Sequence, residues 1–430
     1  MNQTMRVGIA GLGTVGAGVV KILTQSASDI AGRCGRRIEI IAISVRNPSK
    51  DRGIPMPGRF VADPVALADA ADIDVVVELM GGEGDPAHAL VRRALERGKS
   101  VVTANKALLS RHGLELAAIA ERSSVSLNFE GAVAGGIPII KAIREALTGN
   151  RVERIYGILN GTCNFILSEM TKSGRTLEDV LTEAQLLGYA EADPSFDVGG
   201  IDAAHKLSLL SALAFGIKPD FAAIHIEGIT GIGAEDIGYA EELGYCIKLL
   251  GIGQRTARGI ELRVHPAMVD TASAIARIDG ATNAVVVEGQ PVGTLAFQGP
   301  GAGSGATASA VVADIADIAR GNRNLPFIVP VVQLQGRASA SFAEHVGRFY
   351  LRLKVEDRAG VLAAIAAALA QHEVSIESLL QHARAPGAAV TIVLTTHECR
   401  EGVMQSALLD ITKIDSVRAQ PTLIRIETLS

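Results

Sequence analysis

Apolar residues in the first third of the chain cluster in short runs that alternate with stretches of helical periodicity. The runs with the composition of buried strands are Met5–Ala10, Arg37–Val45, Asp74–Leu79 and Ser100–Val102. The stretches of helical periodicity are Ala17–Leu23, Pro86–Arg97 and Leu108–Arg122. Strands that alternate with helices in this way form parallel sheets covered by helices, so the pattern predicts an α/β, doubly wound first domain.

The first strand is followed at once by Gly11-Leu12-Gly13-Thr14-Val15-Gly16 and then by a helix. A strand, a G-x-G-x-x-G loop and a helix in this order form the dinucleotide-binding fingerprint of a Rossmann-type sheet. The spacing alone is a weak signal in a chain with 46 glycines, but its context supports it. We therefore predict cofactor contacts at Gly11, Gly13, Thr14, Val15 and Gly16.

The residues after the second strand bear on the choice of cofactor. A site for NAD usually places an acidic residue there, whereas this chain has Val45-Arg46-Asn47-Pro48-Ser49-Lys50. A guanidinium and an ammonium group suit a 2′-phosphate, so Arg46 favours NADP(H), with NAD(H) still possible. The alternative is an ordinary solvated loop, since Arg and Lys are common on surfaces.

Two later joints also carry candidate chemistry. Thr103 and Lys106 lie where a strand ends and a helix begins, the edge at which parallel sheets bind ligands. A lysine is unfavourable in the first turn of a helix, which mildly favours a functional role for Lys106. The glycine-rich segment Glu130–Pro138 could bind a cation through free carbonyl groups or simply form a bend, and its residues alone favour the bend.

The middle of the chain contains a loop crowded with acidic residues and a helix that begins with charges. At helical spacing, Asp202 and Lys206 share one face with Leu209 and Leu213, so both charges should be buried. Buried charges are costly unless they are paired or used, and we interpret this helix start as part of a site. The alternative is an i,i+4 pair that decorates the helix.

Two more helix starts in this region are candidate binding elements. Gly161 and Thr162 open a helix after a strand at Val152–Leu159, where amide and hydroxyl donors could bind a carboxylate or simply cap the helix. Gly303 lies in a glycine-rich segment before a helix that runs through Arg320, which could complete the cofactor site or be a flexible turn.

The last part of the chain alternates strands and helices in a different order. From Phe349 to Ile426 the pattern predicts βαββαβ, the ferredoxin-like split βαβ arrangement. An exposed edge of its sheet would favour pairing between subunits. We predict a dinucleotide-binding domain at residues 1–148 and an α+β catalytic and dimerisation domain at 149–320, whose residues 301–320 return to the first domain. A linker at 321–346 and a regulatory domain at 347–430 complete the chain.

Composition narrows the function classes. A chain of 430 residues with a net charge of −5 gives no reason to expect nucleic acid or an anionic membrane as partner. Its four cysteines show neither metal nor disulfide spacing, which fits a reducing compartment. No uncharged apolar run is long enough to span a membrane. We predict a soluble cytoplasmic protein.

The segment Ala184–Lys206 resembles the signature of the homoserine dehydrogenases. The matching positions are Ala184, Gly188, Tyr189, Ala190, Asp193, Pro194, Asp197, Gly200, Asp202 and Lys206. Since the last domain is similar to an ACT domain, the likeness covers nearly the whole chain. It implies interconversion of L-aspartate 4-semialdehyde and L-homoserine with NAD(P)H, in the biosynthesis of threonine, methionine and isoleucine.

The resemblance also implies roles for individual residues. Lys206 would be the acid/base, Lys106 a second catalytic lysine near the nicotinamide, and Glu191 and Asp202 substrate ligands. Gly188 and Gly303 would contact the cofactor. The Glu130–Ile137 segment is similar to the family's sodium-binding loop. With this resemblance we expect a cation site there, although the residues alone favoured a simple bend. Its ligands would be Glu130, Val133, Gly135 and Ile137. An ACT domain implies an amino-acid effector, threonine, and a homodimer or homotetramer.

Two other functions compete with this interpretation. A nucleotide-sensing regulator without chemistry would explain both ends of the chain but leaves the acidic loop and Lys206 unused. An aspartate-semialdehyde dehydrogenase would need a catalytic cysteine–histidine pair. The sequence offers no convincing pair, and we interpret Cys163 as a small packed residue.

Overall fold

The computed structural model describes residues 4–190, 192–336, 340–382 and 389–429. Its strands are β1 Met5–Ala10, β2 Ile38–Ser44, β3 Arg59–Phe60, β4 Val75–Glu78, β5 Ser100–Thr103, β6 Leu127–Asn128, β7 Arg151–Ile158, β8 His225–Ile226, β9 Tyr245–Thr256, β10 Gly259–Asp270, β11 Thr282–Gln290, β12 Gly293–Pro300, β13 Val346–Glu356, β14 Ile376–Leu380, β15 Ala389–Thr396, β16 Cys399–Arg400 and β17 Thr422–Glu427. Its helices are α1 Thr14–Gln25, α2 Ala27–Cys34, α3 Ala87–Glu96, α4 Lys106–Arg122, α5 Ile139–Lys141, α6 Gly161–Ser173, α7 Leu177–Leu186, α8 Ser195–Val198, α9 Ile201–Phe215, α10 Ala234–Glu242, α11 Ser304–Arg320, α12 Val361–Gln371 and α13 Glu401–Ile411.

The chain divides into two compact units. The first unit holds the described residues of the ranges 1–159, 204–223 and 282–338. The second unit holds those of the ranges 160–203, 224–281 and 339–430. Among the described residues, no helix combines the length and the apolar character needed to cross a membrane.

A parallel sheet in the order β3-β2-β1-β4-β5-β6 forms the centre of the first unit. This is the strand order of dinucleotide-binding α/β domains, so the predicted Rossmann-type sheet is confirmed. Helix α11 joins the core of this sheet, where Ala308 and Val311 pack with Ile9 and Val19. Gly18 permits that approach, because a Cβ there would lie 2.5 Å from the Ser304 carbonyl oxygen.

The first unit also contains a three-stranded antiparallel meander in the order β12-β11-β7. In its register, Ala284 of β11 lies opposite Ile158 of β7 and opposite Gln298 of β12. Because Ala284 pairs with Ile158, the last residue of β7, the preceding residue Asn283 lies beside the carboxyl end of β7.

The second unit is built around a long antiparallel hairpin of β9 and β10, and β10 also pairs in parallel with β17. On its other side, β17 continues into antiparallel strands in the order β17-β13-β15-β14, on which α12 and α13 pack through Ile365 and Met404. The order β13-α12-β14-β15-α13-β17 confirms the predicted ferredoxin-like arrangement.

One predicted strand in this sheet is shorter than its apolar pattern indicated. The apolar pattern predicts the last strand from Val417 to Ile426, but β17 begins at Thr422. Pro421 has no amide proton for the ladder, and Val417 makes only an isolated bridge with Val355. The proline therefore delays the strand.

Candidate cofactor and active sites

Three loops of the first unit surround a pocket of about 640 Å³ at the carboxyl edge of the parallel sheet. The lining includes Gly11 and Gly13 of the predicted fingerprint, Arg46 and Lys50 of the basic loop, and Gly81. Thr14 and Val15 begin helix α1, and Gly16 belongs to its first turn. Since strand, glycine loop and helix follow one another at this pocket, the fingerprint has the geometry of a dinucleotide site.

Two of the fingerprint glycines are required by close backbone contacts. A Cβ on Gly11, which has φ +100°, would lie 2.5 Å from the Leu79 carbonyl oxygen. A Cβ on Gly16 would lie 2.2 Å from the carbonyl oxygen of Gly11 itself. Gly13 is different, since open space surrounds the position of its Cβ. Backbone at Gly13 is therefore accessible to a ligand in the pocket.

Arg52 holds the basic loop against the glycine loop. Its Nε donates to the Leu12 carbonyl oxygen at 3.0 Å, and its Nη atoms donate to the carbonyl oxygens of Asn47 and Lys50 at 2.8 and 2.7 Å. The side chains of Arg46 and Lys50 are not part of this set of contacts. The pocket therefore has two further cationic side chains in its lining for an anionic group.

A buried carboxylate fixes the third loop. Glu78, at the end of β4, accepts from the amides of Met80 and Gly81 at 2.7 and 3.2 Å and from Thr103 Oγ1 at 2.7 Å. Asn105 donates to the Gly82 carbonyl oxygen at 2.7 Å and caps α4, whose first residue is Lys106. The hydroxyl group of Thr103, a predicted cofactor residue, thus donates to Glu78. The side chain of Asn105 caps the helix that Lys106 begins.

The predicted sodium loop lies between β6 and α5. The Glu130 carboxylate is buried and accepts from the amides of Ile140 and Lys141, each at 2.9 Å. Burial raises the pKa of Glu130, and those two amides oppose the shift. Among the described residues, no donor meets the carbonyl oxygens of Val133 and Gly135. Neutral oxygens of this kind suit a hard cation, so this segment fits sodium better through carbonyl groups than through the carboxylate.

Close backbone packing shapes the same loop. A Cβ on Gly135, which has φ +54°, would lie 2.5 Å from the Gly301 carbonyl carbon. The Gly136 amide donates to the Pro300 carbonyl oxygen at 3.0 Å, and Ile137 closes a turn with Ala134. The loop is therefore built against the glycine-rich segment that leads to Gly303.

Lys206 lies in helix α9 and is buried, as the apolar stripe predicted. Its Nζ donates to the Leu159 carbonyl oxygen at 2.7 Å. Leu159 directly follows β7, so the end of that strand fixes one direction of the ammonium group. A lysine held in this way can stabilise a developing oxyanion and give it a proton.

In the second unit, Asn160 binds two of the predicted acidic residues. Its Nδ2 donates to Asp202 Oδ2 at 2.8 Å and to Asp197 Oδ1 at 2.7 Å, while its Oδ1 accepts from the Cys163 amide at 2.8 Å. Asn160 is thus the N-cap of α6, which Gly161 and Thr162 open. Asp202 is buried in the first turn of α9, so its predicted burial is confirmed.

The acidic loop follows α7 and meets this helix start. Thr162 Oγ1 donates to the Tyr189 carbonyl oxygen at 2.8 Å. Gly188, with φ +77°, belongs to the turn after α7. Predicted Glu191 lies outside the described residues. Cys163 is buried, and its thiol donates to the Asp197 carbonyl oxygen at 3.2 Å, which fits a packed residue.

Gly303, the last predicted cofactor residue, is the N-cap of α11 with φ +109°. Sequence reasoning missed Arg52, Glu78 and Asn160 as organisers of loops. Only Glu78 could have been found from the sequence. It ends an apolar strand, and an acidic residue buried in such a run needs a hydrogen-bond partner. Arg52 could not be distinguished from an ordinary surface arginine.

The Rossmann-type sheet, its glycine-lined pocket and a buried lysine define the class of NAD(P)-dependent oxidoreductases. The profile described as homoserine dehydrogenase matches residues 138–316, and that described as homoserine dehydrogenase, NAD binding domain, matches residues 11–130. A third profile, the ACT domain, matches residues 349–415. These matches cover both halves of the predicted enzyme and the C-terminal domain.

Relatives share almost the full length of the chain. The homoserine dehydrogenase of Neisseria gonorrhoeae is 47% identical over 99% of both chains, and that of Pseudomonas aeruginosa is 45% identical over 100% of both. The crystal structure of a homoserine dehydrogenase from Thiobacillus denitrificans has a TM-score of 0.94 at 46% identity and covers 99% of this chain and 98% of its own. The chain belongs to the homoserine dehydrogenase family, and it is an oxidoreductase that acts on CH–OH groups.

A more distant structure includes the cofactor. A hyperthermophilic archaeal homoserine dehydrogenase in complex with NADPH has a TM-score of 0.64 at 27% identity, over 75% of this chain and 100% of its own.

Proposed function

We propose that the protein reduces L-aspartate 4-semialdehyde to L-homoserine with NADPH and catalyses the reverse oxidation. The observation that carries the proposal is the buried Lys206, whose ammonium group donates to the Leu159 carbonyl oxygen at 2.7 Å. A bound nicotinamide would supply the hydride, and the protein must stabilise and protonate the alkoxide. Lys206 performs that step, and its uncharged form accepts the proton in the oxidative direction.

Asp202 and Glu191 bind the substrate and its amino group, as the family resemblance implies. Gly161 and Thr162, which open α6, contact the substrate carboxylate. Support for Asp202 comes from Asn160, whose amide donates to one of its carboxylate oxygens at 2.8 Å and so fixes the carboxylate.

The cofactor is NADP(H) in preference to NAD(H). Arg46 and Lys50 line the pocket beside Gly11 and Gly13, and they neutralise a 2′-phosphate. Lys106 and Thr103 serve the nicotinamide end, and Gly188 and Gly303 contact the cofactor as the family resemblance implies. Sodium binds the loop from Glu130 to Ile137 through carbonyl oxygens, including those of Val133 and Gly135.

Regulation and assembly follow from the C-terminal domain. Threonine binds the ACT domain and inhibits the enzyme, which fits a position in threonine, methionine and isoleucine biosynthesis. Strand β14 is an edge of its sheet and has no second partner strand among the described residues, so it is a candidate contact in a homodimer or homotetramer.

The test follows NADPH absorbance with purified protein and L-aspartate 4-semialdehyde, in parallel with NADH and an L-threonine titration. We expect Lys206→Met to lower kcat by about 10²–10⁴-fold, as for loss of a general acid. The matched control is Lys248→Met, which removes another buried lysine that donates to a carbonyl oxygen, that of Ile278 at 2.8 Å. Near-normal turnover of Lys206→Met would exclude the role. A flat trace of the native protein despite NADPH binding would favour the sensor.

A further inference from the structure

The carbonyl group that orients Lys206 has a second donor. Asn283 Nδ2 donates to the Leu159 carbonyl oxygen at 3.0 Å, and Lys206 Nζ donates to the same oxygen at 2.7 Å. A carbonyl oxygen has two lone pairs, so these two donors fill it. Asn283 is fully buried, and the pairing of Ala284 with Ile158 fixes its backbone beside Leu159.

The other side of the Asn283 amide meets the segment that leads into α11. A Cβ on Gly301 would lie 2.0 Å from Asn283 Cγ and 2.2 Å from both of its amide heteroatoms. No side chain fits at position 301 while Asn283 keeps this position. Gly301 stands two residues before Gly303, the N-cap of α11. One amide group therefore contacts both the carbonyl that holds Lys206 and the glycine segment before Gly303.

An asparagine at this position has an energetic penalty that packing does not explain. Its Oδ1 is buried and accepts no hydrogen bond from the described residues. An unsatisfied buried acceptor destabilises a fold, and an apolar residue of similar size would avoid that cost. Such a replacement would lose the hydrogen bond from Asn283 Nδ2 to the Leu159 carbonyl oxygen.

We propose that Asn283 is a positioning residue, which fixes the Leu159 carbonyl group and through it the direction of the Lys206 ammonium group. The inference rests on the proposed role of Lys206. Proton transfer depends on the placement of the donor, and small displacements far from the reacting atoms lower rates strongly. Without the second donor, the Leu159 carbonyl group is free to turn away from Lys206.

The test compares Asn283→Asp with the native enzyme. Aspartate has the shape of asparagine but cannot donate to the carbonyl group. We expect kcat to fall about 10–100-fold, with the KM values for the aldehyde and for NADPH within about 3-fold of native. The new carboxylate favours the protonated form of Lys206, so the half-maximal rate of homoserine oxidation should move to higher pH.

Two further variants keep the proposal falsifiable. Asn150→Asp is the matched control, because the Asn150 side chain accepts from the Val292 amide at 3.0 Å and donates to none of the described residues. It should leave kcat and the pH profile unchanged. If Asn283→Asp does not fold, Asn283→Ser replaces it, for which we expect a reduced kcat with an unchanged pH profile and NADPH affinity.

The outcomes separate the two proposals. An inactive native enzyme would exclude the proposed function, and this inference would fall with it. If the native enzyme is active, an Asn283 variant with native kcat overturns the positioning role. Loss of kcat in Asn283→Asp with a lowered Tm and a native pH profile also overturns it, since that pattern reports structural damage alone.

Discussion

The two units bury charged groups in different ways. In the first unit, the carboxylates of Glu78 and Glu130 accept hydrogen bonds from backbone amides, those of a loop for Glu78 and those of α5 for Glu130. In the second unit, Arg263 and Arg425 are almost fully buried and donate to carboxylate side chains. A buried charged side chain therefore has a different structural role in each case, which depends on whether its partner is a backbone amide or an oppositely charged side chain.

Arg425 and Arg263 of the second unit form ion pairs between elements, and each also contacts a second carboxylate, that of Glu227 and that of Glu261 respectively. Arg425 of β17 donates from Nε and Nη2 to both oxygens of Glu401 at 3.0 and 2.6 Å, and Glu401 begins α13. Arg263 of β10 donates from Nε and Nη2 to Glu427 at distances between 2.8 and 3.1 Å. These pairs join β10, β17 and α13.

The carboxylates of the first unit instead determine the shape of loops. Glu78 holds Met80 and Gly81, and that loop lines the 640 Å³ pocket. Burial of a charge therefore does not by itself identify a site. A carboxylate that binds the amides of a pocket-lining loop points to function, whereas a carboxylate that closes a pair with arginine points to packing.

The largest expected effect is on stability in the second unit. Arg425→Met leaves the buried Glu401 carboxylate without its guanidinium partner. Removal of one partner of a buried ion pair destabilises proteins by about 3–5 kcal/mol. Urea unfolding of the variant measures this loss of unfolding free energy. The loss should greatly exceed any change in the free energy of NADPH binding.

Two controls test whether the burial of the pair is the cause. Arg59→Met breaks a two-point pair with Asp72 in which both side chains are nearly half exposed, and it should cost far less stability than Arg425→Met. The double variant Arg425→Met with Glu401→Gln should recover part of the loss, because the buried residue 401 is then uncharged. Equal losses for Arg425→Met and Arg59→Met would contradict the explanation.

A second prediction concerns Asp314 of α11, in the first unit. Burial, with the Glu130 carboxylate nearby, raises the pKa of Asp314 to about 7. Because the folded pKa exceeds the unfolded one, this group stabilises the fold below about pH 4 and loses that contribution as pH rises to about 7, by about 3–4 kcal/mol.

The variant Asp314→Asn should flatten this dependence. Its carbonyl oxygen can still accept from the Glu130 amide, which donates to Asp314 Oδ2 at 2.7 Å. We expect the variant to gain stability relative to the native protein as pH rises from 5 to 8, which thermal unfolding at several pH values measures. Parallel curves for the two proteins would show that Asp314 titrates normally.

The sequence predicted those features that depend on local periodicity. The strands and helices of the dinucleotide-binding sheet and the βαββαβ order could be predicted, because strand alternation and helical spacing are visible within a few consecutive residues. The burial of Asp202 and Lys206 followed from the same spacing. The proline that delays β17 shows that one local exception can shift an element's boundary.

The partners of buried polar groups were not predictable, because they are distant in sequence. Thr103 donates to Glu78 across 25 positions, and Asn283 donates to Leu159 across 124. Tyr350 donates to Asp236 across 114 positions. Periodicity reports which side chains are buried, but not what they meet there. The roles assigned to individual site residues remain predictions for the same reason.

The smallest expected effect contrasts Glu78→Gln with Glu401→Gln, the same substitution in the two units. A hydrogen bond to a charged group is worth about 1 kcal/mol more than a neutral one, so Glu78→Gln should loosen the loop at Met80 and Gly81. Fluorescence titration should show about 5-fold weaker NADPH binding, with nearly native stability. Glu401→Gln should do the reverse, since its carboxylate binds Arg425 and Gln405, both in the second unit. If both variants changed stability alone, the distinction between loop-shaping and packing carboxylates would be wrong.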